Sequence, residues 1–407
     1  MLPVFSRQTW WLLTGYTLSL IGTGMTEPFL IIYLHQVQAI SLSLAGAVIG
    51  SSGLAGVIAI PISGWLTTHI RTKHVFLISL VFSAVGRLFF LFAGDVKTAF
   101  IASILSGGAG AVLWNTLSII IADSADRAQT RSIFGTAFAL QNLGSGVGAA
   151  LGSTIIHSNS AFSFKAIFIL DACSFLLFSL FGQKWVKNGP KEKFHRQMKQ
   201  RRKQSCSSAP QQSSMIVLCF CYTIFAVVMT GLSTTLFPQW VAENAQTPLR
   251  VVGHAFFLNS LMIVMSQLLV LRRTTGMRST RVISLAACVF AAENFMILSA
   301  SLLQSGLASL AFILAFAISA IGENCLFSGL PALINRLATE ETRGSYNSAM
   351  NTAWQIGSIL GPIISGAFLS QGMAVPLFIL FIGALVILVF LLHILERIIP
   401  CEWNKGA

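Results

Sequence analysis

The stretch Lys184 to Lys203, KWVKNGPKEKFHRQMKQRRK, decides how this chain is divided. Nine of its twenty residues are Lys or Arg, and nothing in it could lie in a hydrocarbon layer. Six apolar stretches precede it: Trp10–Leu34, Leu44–Leu66, His74–Ala93, Thr98–Ala122, Ile133–Ile156 and Phe164–Phe181. Six follow: Met215–Val241, Gly253–Leu271, Val282–Leu303, Leu307–Leu337, Tyr346–Leu369 and Pro376–Leu395. A bilayer core of about 30 Å takes about 20 apolar residues of helix to cross. The reading is an all-α integral membrane protein with twelve transmembrane helices, an N-terminal bundle over 1–183, a basic linker over 184–214 and a C-terminal bundle over 215–407.

The composition leaves room for little else. Of 407 residues, 55% are hydrophobic and only 10% are charged, and the mean hydropathy is +0.77. No extramembrane catalytic domain fits between the spans. The net charge of +13 would suit nucleic acid, but its distribution does not. With the N-terminus inside, 22 of the 26 Lys/Arg fall in cytoplasmic segments and three (Lys97, Lys165, Arg250) in outer loops, with Arg87 in a span. That bias sets topology and places both termini in the cytoplasm; nucleic acid is not expected as a partner. The first span is too long for a signal-peptide core and lacks a convincing cleavage site, so it is read as retained. Five of the seven cysteines (Cys173, Cys219, Cys221, Cys288, Cys325) lie in spans, and Cys206 and Cys401 are cytoplasmic. Neither disulfides nor a metal site is expected.

The halves repeat. A shift of 213 residues lays Gly144, Gly148 and Gly152 onto Gly357, Gly361 and Ser365, and a shift of 205 lays the Arg71–Lys73 turn onto Gly276–Arg278. Parallel six-helix repeats suggest two bundles related by a pseudo-two-fold axis. In the fifth span, Gly135, Gly144, Gly148-Ala149 and Gly152-Ser153 follow the spacing of an exporter motif, with Ala149 where that motif has proline. The eleventh repeats it as Ser348, Gly357, Gly361-Pro362 and Ser365-Gly366. The loop after the second span reads Gly64-Trp65-Leu66-Thr67-Thr68-His69-Ile70-Arg71-Thr72-Lys73. On these residues the chain resembles the major facilitator superfamily over its whole length, and its twelve-helix bacterial multidrug-efflux branch in particular. It departs from the family at Thr68, where an aspartate is usual, and at Ile104, where a proton-coupling arginine is usual.

The resemblance implies that the spans rock about a central cavity and that faces of the second, fifth, eighth and eleventh spans meet across the halves. Gly144, Gly148 and Gly152, with Gly357 and Gly361, are expected on those moving faces or, in the alternative, in fixed helix packing, because small residues at intervals of four permit close helix approach. Gly46, Gly50 and Gly53 give the second span a similar stripe. Cavity candidates, given as packing residues in the alternative, are Trp114, Asn115, Phe138, Gln141, Asn142, Asn324, Trp354 and Gln355.

Five ionisable residues lie well inside spans: Glu27, Arg87, Asp171, Glu293 and Glu323. A charge there is costly and needs a partner, water or a task. At 1.5 Å per residue, Arg87 and Asp171 fall at one depth and read as a structural ion pair. Glu27, followed by helix-disturbing Pro28 in an apolar cavity where desolvation disfavours charge, is the leading proton-coupling candidate, or else a partner for Arg87. Glu323 is the second coupling candidate, and Glu293 reads as structural.

The expected function is proton-coupled efflux of an amphipathic small molecule by alternating access, in the plasma (inner) membrane of a bacterium. An importer of a nutrient or metabolite is the alternative, and a non-transporting receptor or scaffold a third. No nucleotide-binding loop or nucleophile–base pair is present, so neither an enzyme nor a cofactor is expected. Partners are the substrate, protons and the lipid bilayer; a monomer is expected.

Overall fold

The computed structural model describes residues 5–123, 127–157, 160–186, 209–243, 247–339, 342–399 and 404. The expected linker lies mostly outside the described residues, as do Cys206 and Cys401. Twelve long helices account for the described chain. In the first half they are α1 Arg7–Val37, α2 Leu42–His69, α3 Thr72–Phe89, α4 Val96–Asp123, α5 Arg127–Ile155 and α6 Ala161–Trp185. In the second half α7 starts as Ala209–Gly231, passes through a π-turn at Leu232–Leu236 and ends as Phe237–Glu243. It is followed by α8 Arg250–Thr274, α9 Ser279–Ala300, α10 Ser305–Leu337, α11 Arg343–Leu369 and α12 Ala374–Ile398.

Local chemistry sets several ends. Ser6 caps α1 by accepting from the Thr9 N–H at 3.1 Å, and Ser41 does the same for α2 at Leu44, meeting donors that a helix leaves unpaired at its N-terminus. Pro28 cannot donate to the preceding turn, and α1 tightens there into a 3₁₀ turn, Glu27–Phe29.

Packing follows the sequence duplication. In the first half α2 packs on α4, α3 on α4, α1 on α5 and α3 on α6; in the second, α8 packs on α10, α9 on α10, α7 on α11 and α9 on α12. Each pair is the image of the other under exchange of halves. Two further contacts, α2–α11 and α5–α8, cross between the halves and exchange with each other. One end of the bundle carries Arg71, Lys73, Arg278 and Arg343 and is called the basic end below.

Eleven helices among the described residues are long and apolar enough to cross a membrane, and α5 is not among them. Its Gln141, Asn142 and run of glycines lower its hydropathy. It lies between α1 and α8, so protein covers much of it while Leu143 and Leu151 stay exposed, and a helix face covered by protein can be polar.

The glycine faces need correcting. Gly144, Gly148 and Gly152 do not face the other half: they lie against Thr17, Ile21 and Met25 of α1. Gly357 and Gly361 likewise lie against Ala226 and Val227 of α7. The stripes are intra-half seams, the same seam twice. Close contacts between halves use the second span's stripe, with Gly46 against Pro362 and Gly366 and Gly50 against Ile359, together with Gly146 against Ser260 and Gly253 against Ala149 and Ser153. All lie on the side of the bundle away from the basic end. The fifth span's small residues occupy two faces, and spacing alone does not say which face crosses the halves.

Candidate substrate cavity

A cavity of about 490 Å³ lies among α1, α2, α3, α4, α6, α7 and α11. Its polar surface comes from Glu27, Arg87 and a set of hydroxyls; its apolar surface comes mainly from Leu20, Leu30, Ile49, Phe90, Leu113, Trp114 and Phe175. An apolar chamber of this size with a few convergent polar groups suits a small organic ligand.

Charge is concentrated at one point. Arg87 Nε lies 2.9 Å from Asp171 Oδ2, and Arg87 Nη2 lies 3.4 Å from Glu27 Oε1. Asp171 is fully buried and also accepts from Thr26 Oγ1 at 2.8 Å and Thr23 Oγ1 at 3.4 Å. The Glu27 side chain is 60% exposed and faces the cavity. The expectation of a desolvated Glu27 is therefore corrected: the turn at Pro28 presents its carboxylate to open space, and Asp171 holds the desolvated position.

The other candidates divide. Trp114 and Gln355 line the cavity, and the Trp114 ring stands 5.8 Å from Tyr16. Gln141 accepts from Tyr16 OH at 3.0 Å and so holds a lining residue from behind. The rest are not among the lining residues. Asn115 donates to Ser63 Oγ at 2.7 Å, joining α4 to α2, and Asn142 donates to Phe138 O on its own helix. Asn324 donates to Ile263 O and Ser266 Oγ at 3.0 Å, joining α10 to α8. Phe138 and Trp354 each meet the Phe327 ring, at 6.4 and 5.9 Å.

Glu323 also lies outside the cavity, accepting from Asn259 Nδ2 at 2.9 Å. Buried Glu293 of α9 faces Glu323 and Ser319 of α10. These polar groups tie α8, α9 and α10 together within the second half. Sequence reasoning missed Tyr16, Thr23, Ser83, Ser103, Ser106, Thr230 and Thr234, all of which line the cavity. Hydroxyls in membrane helices commonly bond their own preceding turn, as Thr230 and Thr234 do here, so their type and spacing carry little signal.

The family model of the Major Facilitator Superfamily matches residues 12–301 and 218–405. The uncharacterized MFS-type transporter YdeE of Escherichia coli (strain K12) is 25% identical over 408 residues, spanning 98% of each chain. The uncharacterized MFS-type transporter YqjV of Bacillus subtilis (strain 168) is 23% identical over 375 residues, 88% of this chain and 85% of that one. Among solved structures, the nucleoside transporter NupG superposes with a TM-score of 0.73 at 14% identity, over 96% of this chain and 100% of that one. A POT family transporter in complex with 5-aminolevulinic acid superposes with a TM-score of 0.77 at 13% identity, over 96% of each chain.

Proposed function

The chain belongs to the major facilitator superfamily and is a membrane transporter, and from that premise we propose that it expels an amphipathic small molecule in exchange for protons. The carrying observation is the Glu27 carboxylate, exposed to the cavity beside Arg87. A carboxylate open to the substrate space can exchange a proton and meet a substrate at one place. Alternating access then requires the α2–α11 and α5–α8 contacts to open on one side as the cavity closes on the other. The basic end faces the cytoplasm of a bacterium in this reading, because cytoplasmic loops concentrate Lys and Arg, and the chain works as a monomer. The exporter-type glycine spacing in α5 and α11 supports the outward direction.

Import is the second reading. It is left open by Thr68 and Ile104, whose departures from the family motifs weaken the exporter assignment. A susceptibility panel of dyes and antibiotics on a deletion strain and an overexpressing strain separates the two. Efflux gives sensitivity on deletion and resistance on overexpression. Import gives the opposite for toxic substrates, and that result would sink the efflux reading.

A further inference from the structure

We propose that the deep end of the cavity binds a zwitterionic head group whose amine and acid lie only a few bonds apart, as in an α-amino acid with an apolar side chain. The inference rests on the transport reading above and names the substrate class of the same site.

Unspent hydrogen-bond capacity gathers there. Arg87 has five N–H donors. One goes to Asp171 at 2.9 Å and another to Glu27 at 3.4 Å, the latter longer than the roughly 2.7–2.9 Å of a strong charged pair. Ser83 precedes Arg87 by one turn, on the same face of α3. Ser83 is 2% exposed, lines the cavity, and its hydroxyl has no partner in the structure. The buried Ser106 hydroxyl also lines the cavity without a partner, and it packs against Gly86, where an added methyl would lie 2.6 Å from it. Arg87 N–H groups and the two hydroxyls thus line one cavity with the exposed Glu27 carboxylate. Buried polar groups are normally paired, so this cluster has the form of a site awaiting acceptors.

Charge then selects the ligand. A plain ammonium offers only donors; it would satisfy Glu27 but leave the Arg87 N–H groups unmet. A plain carboxylate would satisfy Arg87 and the hydroxyls but would lie against Glu27. A zwitterion meets both, and the 3.4 Å between Glu27 and Arg87 requires its opposite charges to be close. Its tail would run toward the basic end. Trp114 lies eight residues along α4 from Ser106, or about 12 Å at 1.5 Å per residue, and stands against Tyr16, with Phe175 also lining the path.

The test is equilibrium binding to the purified full chain in lipid nanodiscs with three probes that share one ring: L-phenylalanine, phenethylamine and 3-phenylpropanoate. L-phenylalanine is expected to bind at least about tenfold more tightly than either single-charge probe, a difference of about 1.4 kcal/mol. Ser83→Ala combined with Ser106→Ala should weaken L-phenylalanine and 3-phenylpropanoate several-fold and leave phenethylamine unchanged. Glu27→Gln should weaken L-phenylalanine and phenethylamine but not the acid. Both sets leave the Arg87–Asp171 pair intact, and an unchanged melting temperature checks that the fold survives. Phenethylamine binding as tightly as L-phenylalanine overturns the proposal, as does an inert serine pair or no saturable binding of any probe. Binding is read without a gradient, so those results leave the efflux reading to the susceptibility panel; reversed susceptibility with intact discrimination overturns only efflux.

Discussion

Arg87 Nε stands 2.9 Å from Asp171 Oδ2, joining α3 to α6, and Thr26 of α1 adds its hydroxyl to the same carboxylate at 2.8 Å. Three helices meet on one buried charge. Removing one member of such a pair strands the other, at a cost of about 3–5 kcal/mol, whereas replacing both with apolar residues is often neutral. Asp171→Ala should lower the melting temperature of detergent-purified protein sharply. Arg87→Met with Asp171→Leu should recover most of that loss while transport stays absent. A single variant that melts like the parent would mean that the pair contributes nothing to the fold.

Glu27 should behave in the opposite way. Its side chain is 60% exposed and its contact with Arg87 is long, and exposed ion pairs contribute about 0–1 kcal/mol. Glu27→Gln is expected to express and melt normally but to lose pH-driven uphill movement in proteoliposomes, with Glu27→Asp keeping part of it. Gradient-driven accumulation by Glu27→Gln would move the coupling site elsewhere, with Glu323 the next candidate.

The glycine contacts separate assembly from movement. A side chain at Gly148 would overlap the Ile21 carbonyl within one half, and one at Gly361 would overlap Thr230 and Val227. Overpacking costs typically about 1–3 kcal/mol, and here backbone would have to give way. Gly148→Leu and Gly361→Leu should reduce folded yield in size-exclusion profiles. Gly253→Val, which meets Ala149 and Ser153 across the halves, should spare yield and instead raise maleimide labelling of a cysteine placed at Leu30. Normal yield from Gly148→Leu would contradict the intra-half seam.

The basic end carries another repeated contact with different chemistry in each half. Lys73 Nζ donates to the Gln183 backbone carbonyl at 2.6 Å, while Arg278 and Arg281 reach the Glu396 carboxylate at 2.7 and 2.9 Å. Gln183 and Glu396 are 213 residues apart, the same shift that relates the glycine motifs. Glu396→Ala should therefore lower the melting temperature by a few degrees, in a salt-sensitive way. Gln183→Ala keeps its carbonyl and should change nothing. Equal effects in thermal scans would argue against the difference.

Span count, pairing of halves and the Arg87–Asp171 depth match could be read from the sequence because length, charge and rise per residue report them directly. The direction each glycine faces could not. Gly144 and Gly146 are two residues apart, yet one meets Thr17 of α1 and the other Ser260 of α8, and only the packed helices decide which. Asn115, Asn324 and Trp114 look alike as polar or amphipathic residues in spans, but Asn115 and Asn324 spend their amides on neighbouring helices and Trp114 alone lines the chamber. The unpaired Ser83 hydroxyl was invisible for the same reason. A serine announces a donor and an acceptor but not whether they are used.

The weak hydropathy of α5 sets a timetable for biogenesis. The ribosome completes α5 at Ile155, and α8, which covers its far side, begins at Arg250. At about 5–20 residues per second, that delay is on the order of ten seconds. During it, α5 has mainly α1 to shield Gln141 and Asn142 from lipid. The α1–α5 seam of small residues must therefore form early, as a holding contact made before the second half exists. Slowing translation through the linker would prolong that exposure, and quality-control proteolysis at α5 would measure how long the nascent first half can wait.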